Sequence, residues 1–420
     1  MILKHSIDRH SLLACTFWIL AACSIPALLS VQTPPAGWDL HVYANAVRAL
    51  RAGADPYLNG IAVQRAMHAE MLAHPERMPP YTYVYSPITL PLLRLIALMP
   101  LYPAGVLYWI ADVLGMLVMV RATMEALKPE ERKPFLLLAP AALFFPGLLQ
   151  TNVFFSGNLS YVLYGLVLAA AVQGWRRADW TWFYLATLAA SCFKAPLLTL
   201  LLIPVLSLRR QWLPACLTAV AGLAIFALQP LFWPDLMRHY LQAVSLQFSY
   251  NHDFGFSLAG LAGSALFAFG RPYSTASSVI YVLYALPLLG LLIYLSRRYV
   301  AGDFSLEAWI PVMLVGVVLL NPRIKEYDVA PLTIPLALIA WRFFSPGNTL
   351  RAAVWKMALF FGAINAVAFI SMTVWRTLDG ILLITLFLVG SWQLWRLKPR
   401  FAMSSVPENI GANRAGETSY

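Results

Sequence analysis

The sequence predicts an all-α, polytopic membrane protein of about twelve transmembrane helices, and three observations carry that prediction. Of the 420 residues, 60% are hydrophobic and 12% are charged, where a soluble domain carries about 25% charged residues. Apolar runs long enough to cross a hydrocarbon core recur from the N-terminal region to Arg396. The Lys and Arg behind a formal net charge of +11 lie mostly in short loops between those runs, as the positive-inside rule requires. The basic balance is therefore assigned to membrane topology and not to a nucleic-acid partner. The four cysteines, Cys15, Cys23, Cys192 and Cys216, all fall inside apolar runs with no CxxC or Cys/His cluster. Neither a disulfide nor a metal site is expected.

The first span runs from about Ser11 to Val31, with Lys4 and Arg9 holding its start in the cytoplasm. Leu20-Ala21-Ala22-Cys23 resembles a lipoprotein cleavage box, but the apolar run continues past it, so an uncleaved helix is expected. Asp39 then lies outside. Residues 32–83 form a first extracytoplasmic loop with juxtamembrane helices. Its centre is GWDLHVYANAVRALRAGADPY, Gly37–Tyr57. Asp39, Tyr43, Ala46/Val47 and Leu50 recur at helical spacing, Arg48 and Arg51 project from the same helix, Gly53 ends it, and Asp55-Pro56-Tyr57 turns the chain. A carboxylate and several cations at a membrane surface suit chemistry on a phosphate-bearing lipid; an amphipathic connector with a solvated face is the plainer reading.

A second amphipathic piece follows at about Ile61–Ala73. Next comes YTYVYSPITLPLLRLIALMPLYP, whose Tyr81, Tyr83 and Tyr85 suit the headgroup layer. Pro87, Pro91, Pro100 and Arg94 make Val84–Pro100 a poor spanning helix. If that segment does not span, the basic loop Arg121–Lys133 faces the cytoplasm. Arg176-Arg177, Arg209-Arg210, Arg297-Arg298, Arg342–Lys356 and Arg396–Arg400 then follow in register. The remaining spans begin near Pro103, Pro134, Gly157, Trp180, Ala195, Trp212, Ser274, Leu306, Val329, Ala352 and Leu378. Residues 1–402 read as a single integral membrane domain and 403–420 as a disordered cytoplasmic tail.

This topology gathers polar residues on the outer face. Lys194, in SCFKAPLL, stands at the junction of two apolar helices. It is costly at that depth unless it meets an anion or snorkels to the interface. NPRIKEYD (Asn321–Asp328) packs Arg323, Lys325, Glu326 and Asp328 between two apolar runs, as a phosphate clamp or as a self-neutralising loop. Asn158, in FSGNLSYVL, opens a helix and suits either a cap or a substrate contact. Asn251, His252 and Asp253 set an imidazole beside a carboxylate, without the third partner a metal site needs. Nothing matches a P-loop, a dinucleotide fingerprint or a GxSxG elbow.

The order of these pieces resembles glycosyltransferase family 87, also called the DUF2029 family. The resemblance rests on Asp39, Tyr43 and GADPY (Gly53–Tyr57), then VYSPITLPLL (Val84–Leu93), SGNLS (Ser156–Ser160), Lys194-Ala195-Pro196, NHDFGFSLAG and NPRIKEYD. SGNLS lacks the family's usual glutamine, and the last loop has Asn321 before its proline in place of serine. The resemblance implies a GT-C-like enzyme of the bacterial inner (plasma) membrane with its active site facing the periplasm or exterior. It implies transfer of a sugar, mannose first, from a polyprenyl-phosphate donor to a lipid or glycan acceptor, with inversion. Asp39 is the implied general base. Lys194, then Arg323 and Lys325, are implied for the leaving phosphate, and Tyr43, Asn158, Asn251, His252 and Glu326 for further substrate contacts. No cofactor and no bound metal are implied; membrane lipids are the surroundings. The rival expectations are a transporter or flippase of lipid-linked sugars, which needs the cations but no outer-face base, and a non-catalytic envelope protein.

Overall fold

The computed structural model describes residues 38–73, 82–98, 157–207, 210–247, 254–255, 257–268, 275–329, 332–367 and 372–397, with scattered positions between 107 and 132. Among the described residues every regular element is helical; one isolated bridge joins Gly255 to Ile324. The expected first span, the span near Pro134 and the C-terminal tail lie outside the described residues, as does most of the span near Pro103.

An outer layer opens the fold. Helix α1 (Trp38–Arg51) carries Asp39 in its first turn and Arg48 and Arg51 in its last, each charge placed to suit the helix dipole. Leu40, Tyr43, Ala44, Ala46 and Val47 form its buried face. Gly53 takes a φ of 76° that ends the helix. The predicted turn is closed by Asp55, whose Oδ1 accepts the Tyr57 backbone N–H at 2.8 Å. Helix α2 (Leu58–Ala73) begins three residues earlier than expected, and only Ile61 and Gln64 of its described side chains are buried. Helix α3 (Thr89–Leu98) packs on α1.

The bundle follows as α4 (Ser160–Arg177), α5 (Thr181–Phe193), a 3₁₀ segment (Ala195–Leu201) continuing into α6 (Leu202–Ser207), and α7 (Trp212–Phe232). Helix α8 (Pro234–Ser245) returns to the outer layer. Then come α9 (Leu258–Ala268), α10 (Thr275–Val300), α11 (Leu306–Leu319), the short α12 (Glu326–Val329), α13 (Thr333–Phe344), α14 (Leu350–Val367) and α15 (Met372–Arg396). Three described helices are long and apolar enough to cross a membrane, within α7, α10 and α15. The expected spans from Trp180 and Ala195 are two shorter legs of a hairpin with Lys194 at its apex. Lys194 leaves the helical region (φ −137°, ψ 97°) and Pro196 opens the next helix.

Helix α11 sits at the centre, with every residue from Trp309 to Leu319 buried. It packs against α6, α10, α13 and α15. Close approach there depends on glycine: a Cβ on Gly316 would lie 2.6 Å from Leu292 Cδ2 and 2.7 Å from Phe387 Cε2. Helix α7 is peripheral. Its buried residues, Ala215, Gly222 and Gln229, recur every seven positions, while Leu217, Val220, Leu223 and Leu228 are exposed, as a lipid-facing helix should be.

Hydrogen bonds fix which ends lie together. Arg298 donates to the carbonyls of Leu394, Trp395 and Leu397, Arg342 to that of Glu307, and Tyr184 to the Gln211 side chain. These contacts gather Arg297, Arg298, Arg342 and Arg396 at one end, beside the α4–α5 and α6–α7 turns that carry Arg177 and Arg210. At the opposite end Gln229 Oε1 accepts the Ile88 N–H at 3.0 Å, tying the start of α3 to the C-terminal end of α7. Lys194, the outer layer and residues 320–329 share that end.

Candidate active site

Tyrosines set the floor of the site. Tyr83 is buried with Tyr43, Tyr57 and Ile61 in a small second core, and Tyr85 packs against it; Tyr43 of α1 and Tyr57 of the following turn supply their ring partners. Tyr81 lies outside the described residues. Tyr57 donates its hydroxyl to the Tyr85 carbonyl at 2.7 Å. Tyr43 and Tyr85 share a hydroxyl hydrogen bond of 2.9 Å. Burial, and then the charge of Asp39, push the Tyr85 phenol well above its ordinary pKa, so it stays a neutral donor.

Asp39 stands one helical turn before Tyr43. Asn158 donates Nδ2 to Asp39 Oδ2 at 2.9 Å and to the Tyr85 hydroxyl at 3.3 Å. The same amide's Oδ1 accepts the Ser160 backbone N–H at 3.1 Å and the Ser160 hydroxyl. One side chain thus holds the start of α4 through its oxygen and reaches Asp39 through its nitrogen. Its orientation is fixed by the helix start, and it passes that orientation to the carboxylate.

Lys194 joins the network from the hairpin apex. Its Nζ donates to Ser160 Oγ, lies 3.5 Å from Asp328 Oδ1 and sits 3.8 Å above the Tyr327 ring. Burial pulls its pKa down, while the Asp328 charge works against that pull and Arg323 adds to it. Arg323 Nη1 donates to the Tyr327 hydroxyl at 3.1 Å. Asp328 also accepts the Lys325 backbone N–H at 3.0 Å. The loop thus does more than neutralise itself, since its buried carboxylate reaches across to Lys194.

The loop is anchored from below. Ile324 N–H donates to Phe254 O at 3.2 Å, and Asn321 Oδ1 accepts from Thr199 at 3.1 Å. Gly255 has a φ of 63°, and a Cβ there would lie 1.9 Å from Ile324 O, so no other residue fits without moving the late loop.

Of the expected residues, Asp39, Tyr43, Asn158, Lys194 and Arg323 belong to one connected site, with Lys325 contributing backbone. Asn251 and His252 lie outside the described residues, as does the Glu326 side chain. Tyr85, Ser160 and Tyr327 are members that the sequence reading did not single out as site residues; Asp328, read there as part of the late loop, is the partner of Lys194. Among the described residues no three His, Cys, Asp or Glu side chains group as metal ligands would. The chemical capacity of the site is a carboxylate at one end and part-buried cations at the other, joined through Asn158 and Ser160.

No curated protein matches the chain. A family model, Glycosyltransferase family 87, matches residues 83–322, which is more than half of the chain. The matched stretch contains Tyr85, Asn158, Ser160 and Lys194, while Asp39, Tyr43, Arg323 and Asp328 lie beyond its ends. On that match, and in agreement with the resemblance read from the ordered motifs, the chain belongs to glycosyltransferase family 87.

Proposed function

We propose that this glycosyltransferase moves a sugar, mannose as the first candidate, from a polyprenyl-phosphate donor to a lipid or glycan acceptor at the extracytoplasmic face. Asp39 acts as general base and the anomeric configuration inverts. The observation that carries the reading is the continuous chain Asp39–Asn158–Ser160–Lys194. It holds a carboxylate and a buried ammonium at fixed separation, as a displacement needs when a proton leaves one side and a phosphate leaves the other.

The acceptor hydroxyl attacks the anomeric carbon as Asp39 takes its proton. The sugar–phosphate C–O bond breaks with its electron pair going to the phosphate. Lys194 and Arg323 receive the charge that builds there. The Tyr327 ring beneath Lys194 stabilises the ammonium in its buried position. The negative carboxylate also steadies the oxocarbenium-like centre. The face assignment is supported by the arginines gathered at the end opposite Lys194, which the positive-inside rule puts in the cytoplasm.

The test is transfer from labelled polyprenyl-phosphate mannose in membranes bearing wild type or Asp39→Asn at matched expression. Wild-type transfer with a variant that binds donor but fails to transfer is the expected result. Equal transfer by both proteins would remove Asp39 from the mechanism. Wild type inactive with mannose but active with another polyprenyl-phosphate sugar would replace the donor and keep the base.

A further inference from the structure

A second feature lies toward the end of α1 opposite Asp39. Helices α1 and α3 pack side by side: Tyr43 meets Tyr85 just before α3 begins, Arg51 ends α1 and Arg94 stands midway along α3. There they border a groove of about 340 Å³, whose remaining wall is Trp233 and Leu236 at the α7–α8 corner. Among the described residues its lining is apolar apart from Arg51 and Arg94, both exposed, and includes no carboxylate. The surface beside the groove is lipid-facing in character: Leu92, Leu231 and Phe232 are exposed, the last two at 75% and 72%.

An arginine pair among exposed apolar side chains at the end of a membrane helix is stabilised by an anion at headgroup level. A guanidinium fork matches a phosphate diester in shape as well as charge. On the function proposed above, the reacting phosphate lies with the cations at Lys194 and is not that anion: Asp39 and Arg51 lie at opposite ends of α1, about 18 Å apart at 1.5 Å per residue.

We propose that this groove binds an anionic glycerophospholipid of the surrounding bilayer. Its phosphate sits on Arg51 and Arg94, and an acyl chain lies along Leu50, Leu90 and Trp233. The lipid thereby packs between α1, α3 and the α7–α8 corner at the membrane surface.

The full-length protein in detergent is titrated with phosphatidylglycerol and, separately, phosphatidylcholine, with bound lipid counted by native mass spectrometry. The proteins are wild type, Arg51→Gln/Arg94→Gln, and Arg48→Gln. Arg48 is exposed on the same helix, bonds to Asn45 Oδ1 and lies outside the groove lining. Wild type is expected to favour phosphatidylglycerol about tenfold, the double variant to lose that preference, and Arg48→Gln to keep it. Equal binding of the two lipids by wild type overturns the proposal, as does retention by the double variant. An equal loss in Arg48→Gln reduces the effect to general surface charge and also overturns it. Competitive displacement of phosphatidylglycerol by polyprenyl phosphate assigns the groove to the donor, again overturning it. The readout is lipid binding, so a failure of the sugar-transfer reading leaves this result untouched.

Discussion

Around Trp309 the bundle buries an unbroken run of aliphatic and aromatic side chains, whereas around Tyr85 the outer layer buries hydroxyls, an amide and charges. The first region is held by close van der Waals contact at Gly316 and Gly390. Changes that keep volume should be tolerated there. The second is held by directional bonds among Tyr43, Tyr57, Tyr85, Asn158 and Ser160, where angle matters more than volume. One region sets whether the protein folds; the other sets where a carboxylate and an ammonium stand.

The widest separation between the two should come from Asp39→Asn. It preserves shape and should cost about 10²–10⁴-fold in transfer rate, with the thermal midpoint in detergent unchanged. A parallel fall in that midpoint would show that Asp39 serves stability instead. Lys194→Met removes a buried cation and leaves Asp328 facing it, which should cost about 3–5 kcal/mol of stability as well as transfer. Adding Asp328→Asn should restore the stability and not the activity; recovery of both would place the phosphate elsewhere.

Gly316→Val tests the aliphatic region. Its Cβ would meet Leu292 and Phe387, and overpacking of this kind costs about 1–3 kcal/mol. Donor affinity measured in the folded fraction should hold. An unchanged midpoint would mean that α11 and α15 separate freely. The smallest effect belongs to Tyr85→Phe, which deletes the hydroxyl bonded to Tyr43 and Asn158 at a net cost of about 1 kcal/mol. Transfer should fall by several-fold with little change in donor binding; a loss confined to donor binding would recast Tyr85 as a substrate contact.

Charged and amide residues stand out in a chain that is 12% charged, which is why Asp39, Asn158, Lys194 and the late loop were legible before the structure. The Gly53 helix end and the Asp55 turn were legible because their residue types have few other uses. Tyr85, Ser160 and Tyr327 were not, since tyrosine and serine are ordinary at membrane surfaces and only a partner distinguishes them. The Lys194–Asp328 pair spans 134 positions, beyond the reach of any spacing rule. Hydropathy counted the segments on either side of Lys194 as two spans, because apolar character persists across a break made by one extended residue and a proline.

That break has a consequence for depth. Helix α5 has 13 residues and α7 has 21, so their lengths are about 20 Å and about 32 Å. Both start from the same end, where Tyr184 meets Gln211. The apex of the hairpin therefore stops roughly 10 Å short of the level α7 reaches. On the proposed reading, a lipid phosphate that meets Lys194 comes below that level, or the bilayer thins beside the hairpin. Membrane thickness is then expected to act on transfer, with short-chain lipids easing the approach and long-chain lipids opposing it.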